Sequence, residues 1–144
     1  MTGMIISGHA NFATGFLSAL NLLAGDVNAA AVDFTSGQSE DDLRENMKNA
    51  LDSMSGCSRI FILCDLIGGS PFKCASALSI GREDVRVIYG INLGMAIELS
   101  MCDLDSAELD IDSLADSMKD TAIENVGVFR LPEASGAGPE DEGI

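Results

Sequence analysis

One pattern recurs along the chain and limits its fold more than any other. A short apolar run is followed by a turn, and then by a stretch whose apolar residues fall three and four positions apart. The runs are Met4 to Gly8, Asn28 to Phe34, Arg59 to Asp65 and Asp84 to Ile91. Runs this short, with little polar alternation, suit strands covered on both faces. Arg59 to Asp65 is the strongest of them, because β-branched and aromatic residues follow one another without a break.

The intervening stretches predict helices. Ala13, Phe16, Leu17, Leu20, Leu23 and Ala24 line one face between Phe12 and Ala24, with Asn11 as N-cap and Gly25 as stop. Ser39 caps a second helix that opens on Glu40, Asp41 and Asp42 and carries Leu43, Met47, Ala50, Leu51 and Met54. Ser70 as N-cap and Pro71 in the first turn start a third helix, closed near Gly81. Asn92 caps a fourth, which runs through Met101. Leu104 to Ala122 gives a fifth, with Ala107, Ile111, Leu114, Met118 and Ala122 inward and Asp110, Asp112, Asp116 and Asp120 on a solvated face. Asn125 to Leu131 is a weaker fifth strand.

Strands alternating with helices predict an α/β fold: an open, mostly parallel sheet with right-handed crossovers and helices on both faces. The expected strand order is the flavodoxin-like 2-1-3-4. One domain over residues 1–131 accounts for the patterned sequence. Residues 132–144, rich in Gly, Pro, Ala and acids, are expected to form a flexible tail.

Composition removes several functional classes. Twenty-three Asp and Glu against eight Lys and Arg give a net charge of -15, which disfavours nucleic acid and anionic lipid and favours a basic protein surface. No apolar run approaches the roughly 18 residues of a membrane span, so no direct membrane insertion is expected. The N-terminus lacks a signal-peptide pattern, and a cytoplasmic location is the expectation. Cys57, Cys64, Cys74 and Cys102 form no C-x-x-C pair and read as reduced thiols, three of them in apolar patterns. No metal or cofactor is expected.

In sheets of this order a ligand sits beyond the carboxyl ends of the strands, where neighbouring connections diverge. Here that point lies between the first and third strands, whose ends carry His9, the chain's single histidine, and Asp65. Gly68-Gly69-Ser70 follows, a turn with backbone donors for an anion, and Lys73 stands in the next helical turn. A neutral imidazole can attack phosphorus through one nitrogen while a carboxylate holds the proton on the other. Each residue also has a plainer role. A histidine at a strand end is commonly a loop residue, Asp65 and Ser70 can cap turns, the glycine pair can be a bend, and Lys73 a surface charge. Ser70, His9 and Asp65 have the composition of a hydrolase triad, but the G-x-S-x-G elbow is absent. A flavodoxin-like binding module is the other rival, without a nucleotide-binding glycine pattern.

Three segments carry a family resemblance. Ser7-Gly8-His9-Ala10-Asn11-Phe12-Ala13-Thr14-Gly15 resembles the phosphohistidine segment of the IIA components of mannose-class sugar phosphotransferase systems. Asp65-Leu66-Ile67-Gly68-Gly69-Ser70-Pro71-Phe72 resembles that family's second signature, and Gly90-Ile91-Asn92-Leu93-Gly94-Met95-Ala96-Ile97-Glu98 its third. Together they span about Met4 to Met101 in order and spacing. The resemblance implies that His9 accepts a phosphoryl group from the phosphocarrier protein HPr and passes it to a IIB component for sugar uptake. It implies Asp65 as the orienting carboxylate and Ser70 as a phosphate contact. It also implies a homodimer that exchanges an antiparallel last strand, here Asn125 to Leu131. Three positions depart from the pattern: Ile67 where an aromatic residue is usual, Lys73 where Asn is usual and Gly94 where Pro is usual. The phosphotransfer subunit of a dihydroxyacetone kinase uses a similar domain and is the alternative within the resemblance.

Overall fold

A computed structural model describes residues 1–102 and 109–133. Four strands, β1 (Thr2–His9), β2 (Ala29–Phe34), β3 (Arg59–Cys64) and β4 (Val85–Tyr89), form one parallel sheet in the order β2-β1-β3-β4. Five helices connect or follow them: α1 (Phe12–Ala24), α2 (Glu40–Ser53), α3 (Ser70–Ser79), α4 (Leu93–Met101) and α5 (Ile111–Glu124). The α/β class, the order 2-1-3-4 and the helices on both faces all agree with the sequence pattern.

The two-residue period of the strands sorts the core into two layers. Met4 and Ile6 of β1, with Phe61 and Leu63 of β3, meet Leu20 of α1, Leu99 of α4 and Leu114 and Met118 of α5. Ile5 of β1, with Ile60 and Ile62 of β3, meets Leu43, Met47 and Leu51 of α2 and Ala75 of α3. Because β1 and β3 lie at the centre, both their faces are covered, and Ser7 is buried with its hydroxyl donating to the Val32 carbonyl at 2.9 Å. Fully burying each such Leu or Ile side chain is worth roughly 1.5–3 kcal/mol. That anchors the central strands whose ends carry His9 and Asp65.

Several helix starts differ from expectation. Asn11 makes no side-chain cap on α1; Asp33, at the end of β2, accepts from the Thr14 N–H at 3.0 Å and the Thr14 hydroxyl at 2.8 Å instead. Ser70 is the first residue of α3 and not its cap, which is Gly69. Asp110, expected on a solvated face, is the N-cap of α5 and accepts from the Ser113 N–H at 2.7 Å. The start expected for that helix, including Ala107, lies outside the described residues. Ser39 does form its capping box with Asp42, and Asn92 caps α4 by accepting from the Met95 N–H.

The segment expected as a fifth strand, 125–131, pairs with no strand among the described residues. Val126, Val128, Phe129 and Leu131 each expose three-quarters or more of their surface. Most of the expected tail, residues 134–144, lies outside the described residues. Of the four cysteines Cys64 is buried, Cys57 and Cys74 are half-buried and Cys102 is exposed. No described helix is long and apolar enough to cross a membrane.

Candidate active site at the ends of β1 and β3

His9 closes β1 and points into solvent beside Asp65, the first residue after β3. Its side chain is 45% exposed, whereas that of Asp65 is only 10% exposed. One Asp65 oxygen, Oδ2, accepts from the His9 backbone N–H at 2.9 Å and lies 2.8 Å from His9 Nδ1. The other, Oδ1, accepts from the Leu66 N–H at 2.9 Å. Burial works against the Asp65 charge, but the hydrogen bonds from the His9 backbone and ring, the ring's charge whenever it is protonated, and the Leu66 N–H outweigh it. The carboxyl is therefore held below the usual carboxylate range.

An ionised carboxylate can only accept, so the hydrogen in the 2.8 Å contact sits on Nδ1. In the neutral ring Nε2 is then left with its lone pair outward.

Glycines make this arrangement possible. A Cβ on Gly8 would lie 2.6 Å from a ring carbon of Phe12 and 3.0 Å from Asp65 Cγ, so only a bare backbone lets the carboxylate and the Phe12 ring close on β1. A Cβ on Gly69 would lie 2.5 Å from His9 Cε1 and 2.9 Å from Nε2. The turn after β3 therefore passes directly against the Cε1–Nε2 edge of the imidazole. Gly68, at φ +85°, supplies the left-handed residue that this turn requires.

The end of β1 is also tied to the end of β2. Ala10 adopts φ +52°, the one left-handed non-glycine among the described residues, and its N–H donates to the Phe34 carbonyl at 2.7 Å. The Phe34 ring meets the imidazole edge-on, with centroids 6.4 Å apart. A sharp turn begun at Ala10 thus fixes the direction in which His9 leaves the sheet.

The structure brings His9, Asp65, Gly68 and Gly69 together as the sequence suggested. Ser70 is adjacent, but its hydroxyl donates to Glu40 Oε1 of α2 at 3.0 Å. Lys73 is exposed one turn into α3, across a groove from Glu40 and Arg44. Glu40, Asp33, Ala10 and Phe34 were not visible as site residues, since each acts through a contact between distant elements. Among the described residues no His, Cys, Asp and Glu cluster could hold a metal ion. Two cavities of about 240 Å³ each lie away from His9. One is at the opposite end of the sheet, around Thr2, Asp26 and Asn28. The His9 side chain, 45% exposed, lines neither of these two cavities.

A parallel sheet in this order carries a carboxylate-bonded histidine at its divergence point. A family model described as the PTS system fructose IIA component, EIIA-man, matches residues 3–119, and the chain belongs to that family. It is 28% identical over 134 residues to the sorbose-specific EIIA component of the phosphotransferase system of Klebsiella pneumoniae, covering 92% of this chain and 96% of that protein. The mannose-specific EIIAB component of Escherichia coli is also 28% identical, over 94% of this chain, but the match spans only 42% of that longer protein. Among solved structures, the phosphotransferase system component EIIA from Streptococcus agalactiae is 31% identical with a TM-score of 0.77, covering 89% of this chain and 97% of that one. These matches favour the sugar-phosphotransferase branch over a dihydroxyacetone kinase subunit or a binding module.

Proposed function

We propose that the chain is a phosphocarrier in which His9 Nε2 accepts a phosphoryl group from HPr and yields it to a IIB component, for sugar uptake and phosphorylation. The observation that carries this reading is the 2.8 Å contact between His9 Nδ1 and Asp65. It leaves Nε2 as the exposed nucleophile. In transfer, the Nε2 lone pair forms the bond to phosphorus as the bond to the donor's leaving atom breaks in line behind it. The ring gains positive charge, and Asp65, already bonded to Nδ1–H, stabilises it without reorganising. Backbone N–H groups of the Gly68-Gly69-Ser70 turn and the first turn of α3 supply donors for the phosphoryl oxygens, with the Ser70 hydroxyl as a further contact. The reverse sequence delivers the group to IIB.

The test is direct. The protein is incubated with phosphoenolpyruvate, enzyme I and HPr, and a phosphoryl adduct that is acid-labile and base-stable is expected on His9. No adduct, or an adduct retained in His9→Ala, refutes the assignment. A serine-directed fluorophosphonate that reacted at Ser70 would favour a hydrolase instead.

The partner surface and assembly belong to the same proposal. The acidic charge favours encounter with a basic patch on HPr or IIB, weakened by salt, in the cytoplasm where those partners act. The chain is a homodimer in this reading, with 125–131 of one copy pairing to the sheet of the other. That is supported by the four exposed apolar side chains of the segment and by β4 lying at the edge of the sheet. Residues 1–131 then form the transfer domain, with 132–144 as an appendage to it. Sedimentation is expected to give a dimer, and Phe129→Asp a monomer; a wild-type monomer at micromolar concentration contradicts the assembly.

A further inference from the structure

The Ser70 hydroxyl stands beside the site yet is committed elsewhere. It belongs to the residue after Gly69, whose backbone lies against His9 Nε2, and it donates to Glu40 Oε1 at 3.0 Å. Glu40 is the first residue of α2, and the reciprocal Ser39–Asp42 capping box fixes where that helix begins. The bond therefore bridges two helix starts, α2 and α3, across a groove of about 220 Å³. Asp41, Arg44 and Lys73 are the other charged groups lining it.

A serine hydroxyl has one proton to donate. It can bond the Glu40 carboxylate or a phosphoryl oxygen on His9, but not both. We infer that Glu40 is a positioning residue that competes with the phosphohistidine for the Ser70 hydroxyl and so raises the transfer potential of the phosphorylated chain. This rests on the carrier reading above and adds a residue that tunes it. Without the phosphoryl group, Ser70 rests on Glu40, a charge-assisted bond. When His9 is phosphorylated, that bond must break before Ser70 can turn to the phosphoryl oxygens. The unphosphorylated chain is thereby favoured relative to the loaded one, which suits a carrier that must release its cargo. No atoms are exchanged with Glu40; only the direction of one hydroxyl hydrogen changes.

The experiment measures the equilibrium of phosphoryl exchange between HPr and the full chain, from the fractions of each protein phosphorylated after mixing. Glu40→Ala is expected to shift this equilibrium toward the loaded chain by roughly three- to tenfold, the range for a charge-assisted bond at a water-exposed position. Glu40→Gln, which keeps an acceptor without the charge, is expected to fall between Glu40→Ala and wild type. In a Ser70→Ala background, Glu40→Ala is expected to have no effect, because its route to the site has been removed. An unchanged or reversed equilibrium in Glu40→Ala overturns the inference. So does a shift of equal size in the Ser70→Ala background, which would mark a plain charge effect on the phosphoryl group. If active HPr loads His9 but Glu40 has no influence, only this inference fails. If His9 is never loaded, the carrier reading fails and takes this one with it.

Discussion

Two sides of the same histidine are built differently. On the β3 side, Asp65 already makes with His9 the contacts that the proposed transfer requires: a backbone N–H and Nδ1 meet one carboxylate oxygen, and the carboxylate is largely shielded from water. On the α3 side, Gly69 is pressed against the ring, but the next residue gives its hydroxyl to Glu40. In the proposed transfer one side is set before the phosphoryl group arrives, and the other must change when it does. A carrier would benefit from both. The first would lower the barrier in each direction, and the second would keep the loaded state from becoming a trap.

Substitutions can break this contrast one side at a time. The largest expected effect is at Gly69. An alanine there places a Cβ 2.5 Å from His9 Cε1, so ring or turn must move, and a displacement on the order of 1 Å is expected to slow transfer about 100-fold. Rapid-mixing measurements of phosphorylation by HPr would read it, and wild-type rates would mean that the turn yields easily. Asp65→Asn comes next. It removes the charge and replaces one accepting oxygen with an NH2 donor, so the amide can no longer accept from both the His9 and the Leu66 sides, and single-turnover transfer is expected to slow by roughly 10- to 100-fold while the fold persists. Unchanged kinetics would deny Asp65 its role.

Asp65 also gives a pH signature. Its folded-state value lies below the usual one, so its ionised form stabilises the fold above about pH 4, and that contribution is lost as pH falls through the lowered value. Denaturant midpoints of wild type and Asp65→Asn are therefore expected to converge as pH falls below about 4. A gap that stays constant across that range would remove the linkage.

The smallest effects concern the frame. Ala10 is held at φ +52°, and Ala10→Gly is expected to stabilise the chain by about 1 kcal/mol. Asp33→Ala uncaps α1 and is expected to cost about 1 kcal/mol. Thermal unfolding would read both. If either variant also altered transfer tenfold, the exit of β1 would be part of the switch and not only its mount.

Much of this was legible in the sequence because it is local. The apolar runs placed all four strands within a residue or two, and the order 2-1-3-4 put His9 beside Asp65. What the sequence concealed depends on contacts between distant segments. Asp33 replaces Asn11 as the cap of α1 because the end of β2 lies beside the first turn of that helix, 19 residues from Thr14 in sequence. Ser70 has the chemistry of an N-cap, but Gly69 takes that position, and the freed hydroxyl finds Glu40, 30 residues away. Residues 125–131 have a strand's composition but pair with no strand among the described residues, which no pattern along one sequence could reveal.

The most direct measurement is the position of the phosphoryl group on the imidazole ring. In phosphorylated chain labelled with ¹⁵N in histidine, phosphorus–nitrogen coupling should appear at Nε2 of His9, with Nδ1 still protonated and bonded to Asp65. Coupling at Nδ1, or at no atom of His9, would contradict the orientation on which the mechanism depends.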